Sequence, residues 1–352
     1  MSEVYIVPRD RAGMELDEFL CLLFPEWNKG FLRRMVREGK VLVDGEQVLP
    51  SRRLRADQVL MVDIDPDAAP AAPIAPGIEL EILHETDGWL VIQKPAGLAV
   101  EPERWARERA SMSGAMLQVA RSRAGDDATE IDERLRIVHR LDKETSGALL
   151  VAKDLDAERA LRTAFEEGRV AKAYLALVEG EHPLPDGEVE TIDVPLGPDA
   201  RRSGRMRVMP RKVGRNGEAP RRSKRKAAGK PSRTRIRVEQ RFRGFTLLRC
   251  EPLTGRTHQI RVHLADAGFP LAVDKVYGRR DALLLSELKS SYRAKRGRAE
   301  HPLIDRLTLH AAEIGVPDVR GRSEELVRVT APLPKDFARA LMQLEKHRSL
   351  SR

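Results

Sequence analysis

The stretch that most constrains the fold is residues 64–77, IDPDAAPAAPIAPG, which holds four prolines in fourteen residues. Proline fixes φ and has no backbone N–H, so such a stretch stiffens toward polyproline II instead of joining a helix or sheet. The chain is therefore predicted to fold as two bodies, residues 13–63 and 78–348, joined by this linker.

Residues 13–63 have the pattern of a small α/β unit. Apolar side chains recur at helical spacing from Leu16 to Leu23, and a second helix is predicted to start near Asn28, a good N-cap. Val41 to Val48 alternates around Asp44-Gly45, and this dipeptide predicts a β-hairpin because both turn positions need positive φ.

The second predicted helix has a basic side, formed by Lys29, Arg33, Arg34 and Arg37. A basic helix face on a small domain fits contact with RNA phosphates. It fits an ordinary solvated surface equally well, and the residues alone leave both interpretations open.

Positive charge is concentrated in one segment of the chain. Residues 201–237 hold sixteen of the 63 Lys and Arg residues and one acid, Glu218, while the whole chain has a net charge of +9. The low apolar content of residues 211–230 predicts a disordered basic insertion in the second body. Such an insertion favours a polyanionic partner, first of all nucleic acid, although it could also be an uninvolved solvated loop.

Several classes of protein are excluded by what the sequence lacks. It has no GxGxxG and no P-loop, so we expect no nucleotide cofactor. The two cysteines, Cys21 and Cys250, belong to no Cys/His cluster, which argues against a metal site and fits a reducing cytoplasm. No apolar run is long enough to span a membrane, and the N-terminus lacks the apolar core of a signal peptide.

From Ile78 onward the pattern is a mixed order of helices and strands without a regular βαβ repeat, which indicates an α+β fold. Two strands around Asp87-Gly88 open this body. Further strands are predicted at 148–152, 173–178, 245–250, 303–315 and 325–331, and helices at 113–122, 155–168, 257–267 and 334–347.

Residues 139–147, HRLDKETSG, place Asp142 between Arg140 and Lys143. An isolated Asp in such a place is commonly a turn former. Neighbouring cations, however, keep a carboxylate ionised, and a carboxylate can act as a nucleophile at a sugar carbon.

A second polar stretch is GRTHQIRVHL, residues 255–264. On the predicted helix, Thr257 and His258 share a side with Arg261, while Ile260 and Leu264 form the apolar side. An Arg held inward needs an anionic partner, and Asp142 is the candidate. Tyr174, at the start of a predicted strand, could be a packing residue or a functional one.

Four stretches of the sequence together resemble the RluA-type pseudouridine synthase family. They are HRLDKETSGALLVAK, KAY (which contains Tyr174), GRTHQIRVHLADAGFPLAVDKVYG and RLTLHA. EILHETDGWLVIQKPAGL is similar to the family's first strand pair and its KPAG loop. FLRRMVREGKVLVDGEQV resembles the S4 RNA-binding domain. The resemblance spans roughly residues 12–345 and departs from the family pattern at Glu101-Pro102, where many members have His-Pro.

The resemblance implies a catalytic domain built on a mixed, mainly antiparallel sheet with flanking helices, preceded by a small α/β S4 domain. It implies conversion of uridine in RNA to pseudouridine without a metal or other cofactor. Because a stacked base hides the reacting carbons, the target nucleotide must be flipped out.

The resemblance also assigns roles to residues. Asp142 corresponds to the nucleophile, whether it attacks C1′ or assists a glycal-type intermediate, and Arg261 to its partner. Tyr174 corresponds to the aromatic residue that stacks on the target base. The expected RNA-binding and base-binding residues are Arg140, Ile260, His258, Arg256 and the four basic residues of the S4 helix.

An S4 domain favours large-subunit ribosomal RNA as the substrate, with tRNA as the alternative, and the chain is expected to be a cytoplasmic monomer. A catalytically silent RNA-binding ribosome-assembly factor on the same scaffold is a further alternative, which the intact Asp142, Tyr174 and Arg261 disfavour. A glycosidase would need a second acid, and none stands at a recognisable position.

Overall fold

The computed structural model describes residues 3–24, 27, 29–64, 78–100, 111–112, 114–116, 135–210, 229–293, 297, 299–318 and 325–350. The linker beyond Ile64, residues 211–228 of the basic insertion, Glu101-Pro102 and most of the helix predicted at 113–122 lie outside them. Two compact units are present. One comprises residues 1–80, 99–137 and 152–155, and the other comprises 81–98, 138–151 and 156–352.

The first unit begins with a small α/β fold of two helices and four strands. Its elements are β1 (Glu3–Ile6), α1 (Leu16–Leu23), α2 (Lys29–Arg37), β2 (Val41–Val43), β3 (Glu46–Gln47) and β4 (Val59–Val62). The strands form an antiparallel sheet in the order β1-β4-β2-β3. The predicted hairpin is confirmed, with φ of 52° at Asp44 and 81° at Gly45.

The core of this fold consists of the residues that recur at helical spacing. Leu16, Leu20, Leu32 and Val36 are fully buried, together with Leu60 of the sheet. The amphipathic pattern therefore predicted both helices correctly.

The second unit is built on a long mixed sheet. Its strands are β5 (Ile82–Glu85), β6 (Trp89–Lys94), β8 (Ser146–Ala152), β9 (Ala171–Glu179), β10 (Glu190–Asp193), β13 (Arg233–Phe242), β14 (Phe245–Pro252), β15 (Leu309–Pro317) and β16 (Leu326–Thr330). They run in the order β10-β13-β14-β9-β15-β8-β6-β5, with β16 paired to β15. The β15–β8 pair is parallel, while β10–β13, β13–β14, β14–β9, β9–β15, β15–β16 and β5–β6 are antiparallel.

The remaining elements are two short strand sets and four helices. They are β7 (Arg136–Ile137), the hairpin β11 (Leu196–Pro198) with β12 (Met206–Val208), α3 (Leu155–Glu166), α4 (Gln259–Asp266), α5 (Leu285–Leu288) and α6 (Lys335–Arg348). In the part of the chain described, no helix is long and apolar enough to cross a membrane.

Both faces of the sheet in the second unit are covered. Leu247 of β14 packs in a cluster with Phe337 of α6, whereas the next residue, Leu248, packs with Ile260 of α4. Because successive side chains of a strand point to opposite faces, the two helices flank the sheet on opposite sides. This is the mixed, mainly antiparallel sheet with flanking helices that was predicted.

β13 was not predicted from the sequence. The region was read only as basic, yet Thr234, Ile236 and Phe242 are buried while Arg233 and Arg235 are exposed. β15 begins at Leu309, later than the predicted 303, and α4 begins at Gln259 instead of 257.

Gly147 allows a close approach of two strands next to the Asp142 segment. It pairs with Ala311 in the parallel β8–β15 register and has φ of 118°. A Cβ at this position would lie 2.2 Å from the carbonyl oxygen of Ala311. Only glycine satisfies both the conformation and the space available.

Replacing Gly147 with alanine should lower the free energy of unfolding by more than about 3 kcal/mol, since backbone strain and a backbone clash act together. Denaturant unfolding monitored by circular dichroism measures the loss. Gly187→Ala is the matched control, because Gly187 has φ of 81° but no atom within 4 Å of an added Cβ. Equal losses for the two variants would contradict the close-approach argument.

Candidate active site

Asp142 lies in a loop that leads into β8, and a buried lysine holds the backbone of this loop. Lys94 is fully buried, and its Nζ donates to the carbonyl oxygens of Pro95, Lys143 and Thr145 at 2.9, 2.9 and 2.8 Å. Burial lowers the pKa of Lys94 to about 7, against the opposing charges of Glu144 and Asp142. The Lys-Pro-Ala-Gly loop thus fixes the backbone on the C-terminal side of Asp142.

Lys94→Met should slow turnover by about 10²-fold, because a small displacement of the reacting carboxylate is enough to lose that much. It should also destabilise the fold by about 2 kcal/mol, since three carbonyl groups lose the donor that a buried lysine supplies. Single-turnover rates and denaturant unfolding measure the two effects. Lys346→Met, on the last turn of α6, is the control. A rate for Lys94→Met equal to that of the control would show that Lys94 does not position the Asp142 backbone for catalysis.

Arg261 of α4 joins two carboxylates. Its Nε and Nη2 donate to Oδ2 and Oδ1 of Asp274 at 2.8 and 2.9 Å, and its Nη1 donates to Asp142 Oδ2 at 2.9 Å. Arg261 is 5% exposed and Asp274 is 1% exposed, while the side chain of Asp142 is 22% exposed. The guanidinium is therefore fixed by a buried fork on one side and presents its remaining edge to a carboxylate that solvent can reach.

The charges in this pair compensate one another. Burial acts to lower the pKa of Arg261, but the hydrogen bonds and charge of Asp274, and then of Asp142, raise it overall. Burial likewise acts to raise the pKa of Asp274, but Arg261 and the backbone N–H groups of Val276 and Tyr277 lower it overall. A buried ion pair of this kind persists because each group's hydrogen bonds are satisfied.

His258 approaches Asp142 from outside the helix. It has φ of 55°, directly before α4, and its Nε2 lies 4.0 Å from Asp142 Oδ2. The prediction that Thr257 and His258 share a helical face with Arg261 is therefore wrong, because the helix begins after them. Burial lowers the pKa of His258, against the opposing charge of Asp142, so the neutral ring is favoured.

The loop before α4 is held by Gln259. Its Oε1 accepts from the backbone N–H of Arg256 (3.0 Å) and from Thr254 Oγ1 (2.7 Å), and its Nε2 donates to the carbonyl oxygen of Arg233 (2.9 Å). Arg256 also donates from Nε to the carbonyl oxygen of Pro231 at 3.2 Å. The loop that carries Arg256 and His258 is thus anchored to the sheet.

Tyr174 and Ile260 lie in one apolar cluster beside this loop, Tyr174 on β9 and Ile260 on α4. Burial, and then the charge of Asp142, raises the pKa of Tyr174 well above its usual range, so the phenol keeps its proton at neutral pH. Arg140 is exposed, two residues before Asp142. Tyr174 and Ile260 thus provide an aromatic and an apolar surface near the Asp142 carboxylate.

The basic residues of α2 that were predicted to bind RNA lie in different environments. Arg33 donates from Nε to the fully buried Asp17 at 2.5 Å, so its charge is engaged in the fold. Arg34 lies 3.8 Å from Glu38, and both Arg34 and Arg37 are exposed. The side chain of Lys29 lies outside the part of the chain that is described.

Sequence reasoning missed three residues of the site, namely Lys94, Asp274 and Tyr277. The Tyr277 oxygen lies 2.9 Å from Nδ1 of His258, and its ring centroid lies 5.0 Å from Arg261 Cζ. Asp274 and Tyr277 belong to the stretch LAVDKVYG, where Asp before a turn gives no sign of a distant partner. Among the described residues, no group of three His, Cys, Asp or Glu side chains could hold a metal ion.

Two family models match the chain. The model described as RNA pseudouridylate synthase covers residues 88–266, and that of the S4 domain covers residues 14–60. The first match includes Asp142, Tyr174 and Arg261, and the second includes α1 and α2.

Curated relatives match over nearly the whole chain. An uncharacterized RNA pseudouridine synthase of Chloroflexus aurantiacus is 34% identical over 99% of this chain and 95% of that protein. Ribosomal large subunit pseudouridine synthase C of Escherichia coli is 32% identical over 98% of each protein. Ribosomal large subunit pseudouridine synthase D of Neisseria meningitidis is 31% identical over 96% of this chain and 80% of that protein.

Among solved structures, human RNA pseudouridylate synthase domain containing 4 has the same fold. It superposes with a TM-score of 0.54 and 22% identity over 77% of this chain and 94% of that chain. The fold, the S4 domain and the near full-length relatives agree, and the chain belongs to the RNA pseudouridine synthase family.

Proposed function

We propose that this protein isomerises uridine to pseudouridine in large-subunit ribosomal RNA, with Asp142 as the catalytic carboxylate. The substrate class is supported by the names of the Escherichia coli and Neisseria meningitidis relatives and by the S4 domain. The observation that carries the catalytic assignment is the Arg261 guanidinium, fixed by Asp274 and donating to Asp142 at 2.9 Å.

The reaction requires that one bond to the sugar be exchanged for another. The N1–C1′ bond breaks, the uracil turns, and a C5–C1′ bond forms. The C5 proton leaves, and N1 ends with a proton, so substrate and product are isomers. A carboxylate is suited to this exchange because it can stabilise or attack a sugar carbon that gains positive charge as the base departs.

Arg261 would keep Asp142 in place during this exchange. Its fork on Asp274 orients the guanidinium without help from substrate, so the Asp142 side chain is held before RNA binds. Pre-organisation of this kind lowers the barrier because no reorganisation is needed at the reacting centre.

The other site residues would bind the flipped-out nucleotide. Tyr174 stacks on the uracil while Ile260 lines its pocket. Arg140, Arg256 and His258 contact the nucleotide and its phosphates, and Arg34 and Arg37 of the S4 helix bind RNA phosphates. We propose a monomer that needs no cofactor and acts in the cytoplasm, where ribosomal RNA is modified.

Tritium release from RNA labelled at uracil C5 tests this function, because the C5 hydrogen leaves only when the new carbon–carbon bond has formed. Unmodified large-subunit ribosomal RNA and bulk tRNA are compared as substrates. We expect release from the ribosomal RNA. Release from tRNA alone would overturn the substrate class, and tight RNA binding with no release from either would favour a silent RNA-binding factor.

A further inference from the structure

The β11–β12 hairpin is a basic arm beside the catalytic centre. Its turn and second strand carry Arg201, Arg202, Arg205 and Arg207, and all but Arg205 are exposed. The base of the hairpin is fixed by two backbone hydrogen bonds between Leu196 and Lys230, 2.9 and 2.7 Å long. The exposed arginines are therefore free to contact an RNA backbone while the base of the arm stays in place.

Tyr277 connects this arm to the catalytic centre. The backbone N–H of Met206 on β12 donates to the Tyr277 hydroxyl at 2.8 Å, and the same oxygen lies 2.9 Å from Nδ1 of His258. The guanidinium carbons of Arg205 and Arg261 each lie 5.0 Å from the Tyr277 ring centroid. One side chain thus touches the arm, the histidine that faces Asp142 and the arginine that binds it.

The hydrogen bonds of Tyr277 bear on which ring nitrogen of His258 carries the proton. The Tyr277 oxygen accepts from Met206, and its own proton can be donated to Nδ1 of His258, in which case that nitrogen is the acceptor. The ring proton of neutral His258 then falls on Nε2, which lies 4.0 Å from Asp142 Oδ2. That distance is too long for a direct hydrogen bond, but it brings an Nε2–H close to the carboxylate.

Two N–H groups therefore approach the same oxygen of Asp142. Arg261 Nη1 donates to Oδ2 at 2.9 Å, and His258 Nε2 faces Oδ2 from a second direction. Within the described residues, no donor contacts Oδ1. This arrangement holds the carboxylate by one oxygen and leaves the other available to the sugar carbon.

We propose that Tyr277 is a positioning residue that links β12 of the arm to His258. RNA binding by the arm and the orientation of Asp142 are thereby coupled. This inference rests on the proposed function. A purely packing role for Tyr277 predicts something else, namely lower stability with an unchanged chemical step once RNA is saturating.

The test separates binding from chemistry in two pairs of variants. Tyr277→Phe removes the hydroxyl and Arg205→Met removes the guanidinium over the ring. Tyr292→Phe and Arg328→Met make the same changes at positions that have no contact with Tyr277 among the described residues, and Arg328 pairs instead with Glu313 at 2.7 Å. For each full-length protein, the single-turnover tritium-release rate at saturating ribosomal RNA, the RNA Kd and the melting temperature are measured.

We expect Tyr277→Phe and Arg205→Met to lower the saturating rate on the order of ten-fold, with the Kd of Tyr277→Phe within about two-fold of wild type. Arg328→Met should leave both the saturating rate and the RNA Kd at their wild-type values. In a His258→Ala background, Tyr277→Phe should have no further effect, because the two residues act through one path.

An unchanged saturating rate for both Tyr277→Phe and Arg205→Met would overturn the inference, as would fully additive effects of Tyr277→Phe and His258→Ala. If Tyr277→Phe does not fold, the Arg205→Met and Arg328→Met pair decides the question alone. Wild-type protein that releases no tritium would be a failure of the proposed function, which this comparison reports separately.

Discussion

Asp142→Asn should reduce turnover by about 10⁴-fold or more while RNA affinity changes only a few-fold. The amide oxygen can still accept from Arg261, so the loop keeps its geometry, but an amide cannot act as the carboxylate does at the sugar carbon. Single-turnover tritium release measures the chemical step, and filter binding at fixed salt measures affinity.

Asp305→Asn is the control for this experiment, because Asp305 is an exposed aspartate of the same unit. We expect its rate to equal that of wild type. Substantial turnover by Asp142→Asn would remove Asp142 from the mechanism, and a large loss of RNA affinity would show that its role is in binding.

Arg261→Lys should lower the saturating rate by about 10² to 10³-fold and the free energy of unfolding by about 3 kcal/mol. A lysine ammonium cannot reproduce the planar fork on Asp274 and at the same time donate to Asp142. Asp274 would then be a buried carboxylate with only part of its hydrogen bonds, and Asp142 would lose its fixed donor. Rates at saturating RNA and denaturant unfolding measure the two losses.

Arg249→Lys is the matched control for Arg261→Lys, because Arg249 is also an ion-paired arginine and is half-buried. Arg249 donates to Glu313 at 2.7 Å and lies 3.5 Å from Glu251, with no contact to Asp142. It should lose stability without losing rate. If Arg261→Lys behaves like Arg249→Lys, the pairing with Asp142 is structural and has no part in the chemistry.

Local patterns in the sequence predicted much of the fold. The Asp44-Gly45 turn gave the hairpin because its φ requirement is local, and the apolar run at Ala148 gave a buried strand because β8 is covered on both faces. Hydrophobic periodicity also identified the two residues of α4 that pack on the sheet, Ile260 and Leu264. These features depend only on neighbours along the chain.

Features that depend on distant partners were not accessible in this way. Asp274 holds Arg261 only because β14, α4 and the following loop bring them together, and nothing near Asp274 in the sequence marks it as a partner. Arg33 looked like part of an RNA-binding face, but its partner Asp17 is buried on another helix. β13 was missed for a different reason, because Thr234, Ile236 and Val238 alternate with basic residues and the segment was interpreted only as basic.

Mapping of pseudouridines in large-subunit ribosomal RNA tests the central claim most directly. RNA is taken from cells that lack this gene and from the same cells complemented with wild type or Asp142→Asn. The account predicts that at least one pseudouridine is absent without the gene, returns with wild type and does not return with Asp142→Asn. An unchanged set of pseudouridines without the gene, or restoration by Asp142→Asn, would contradict it.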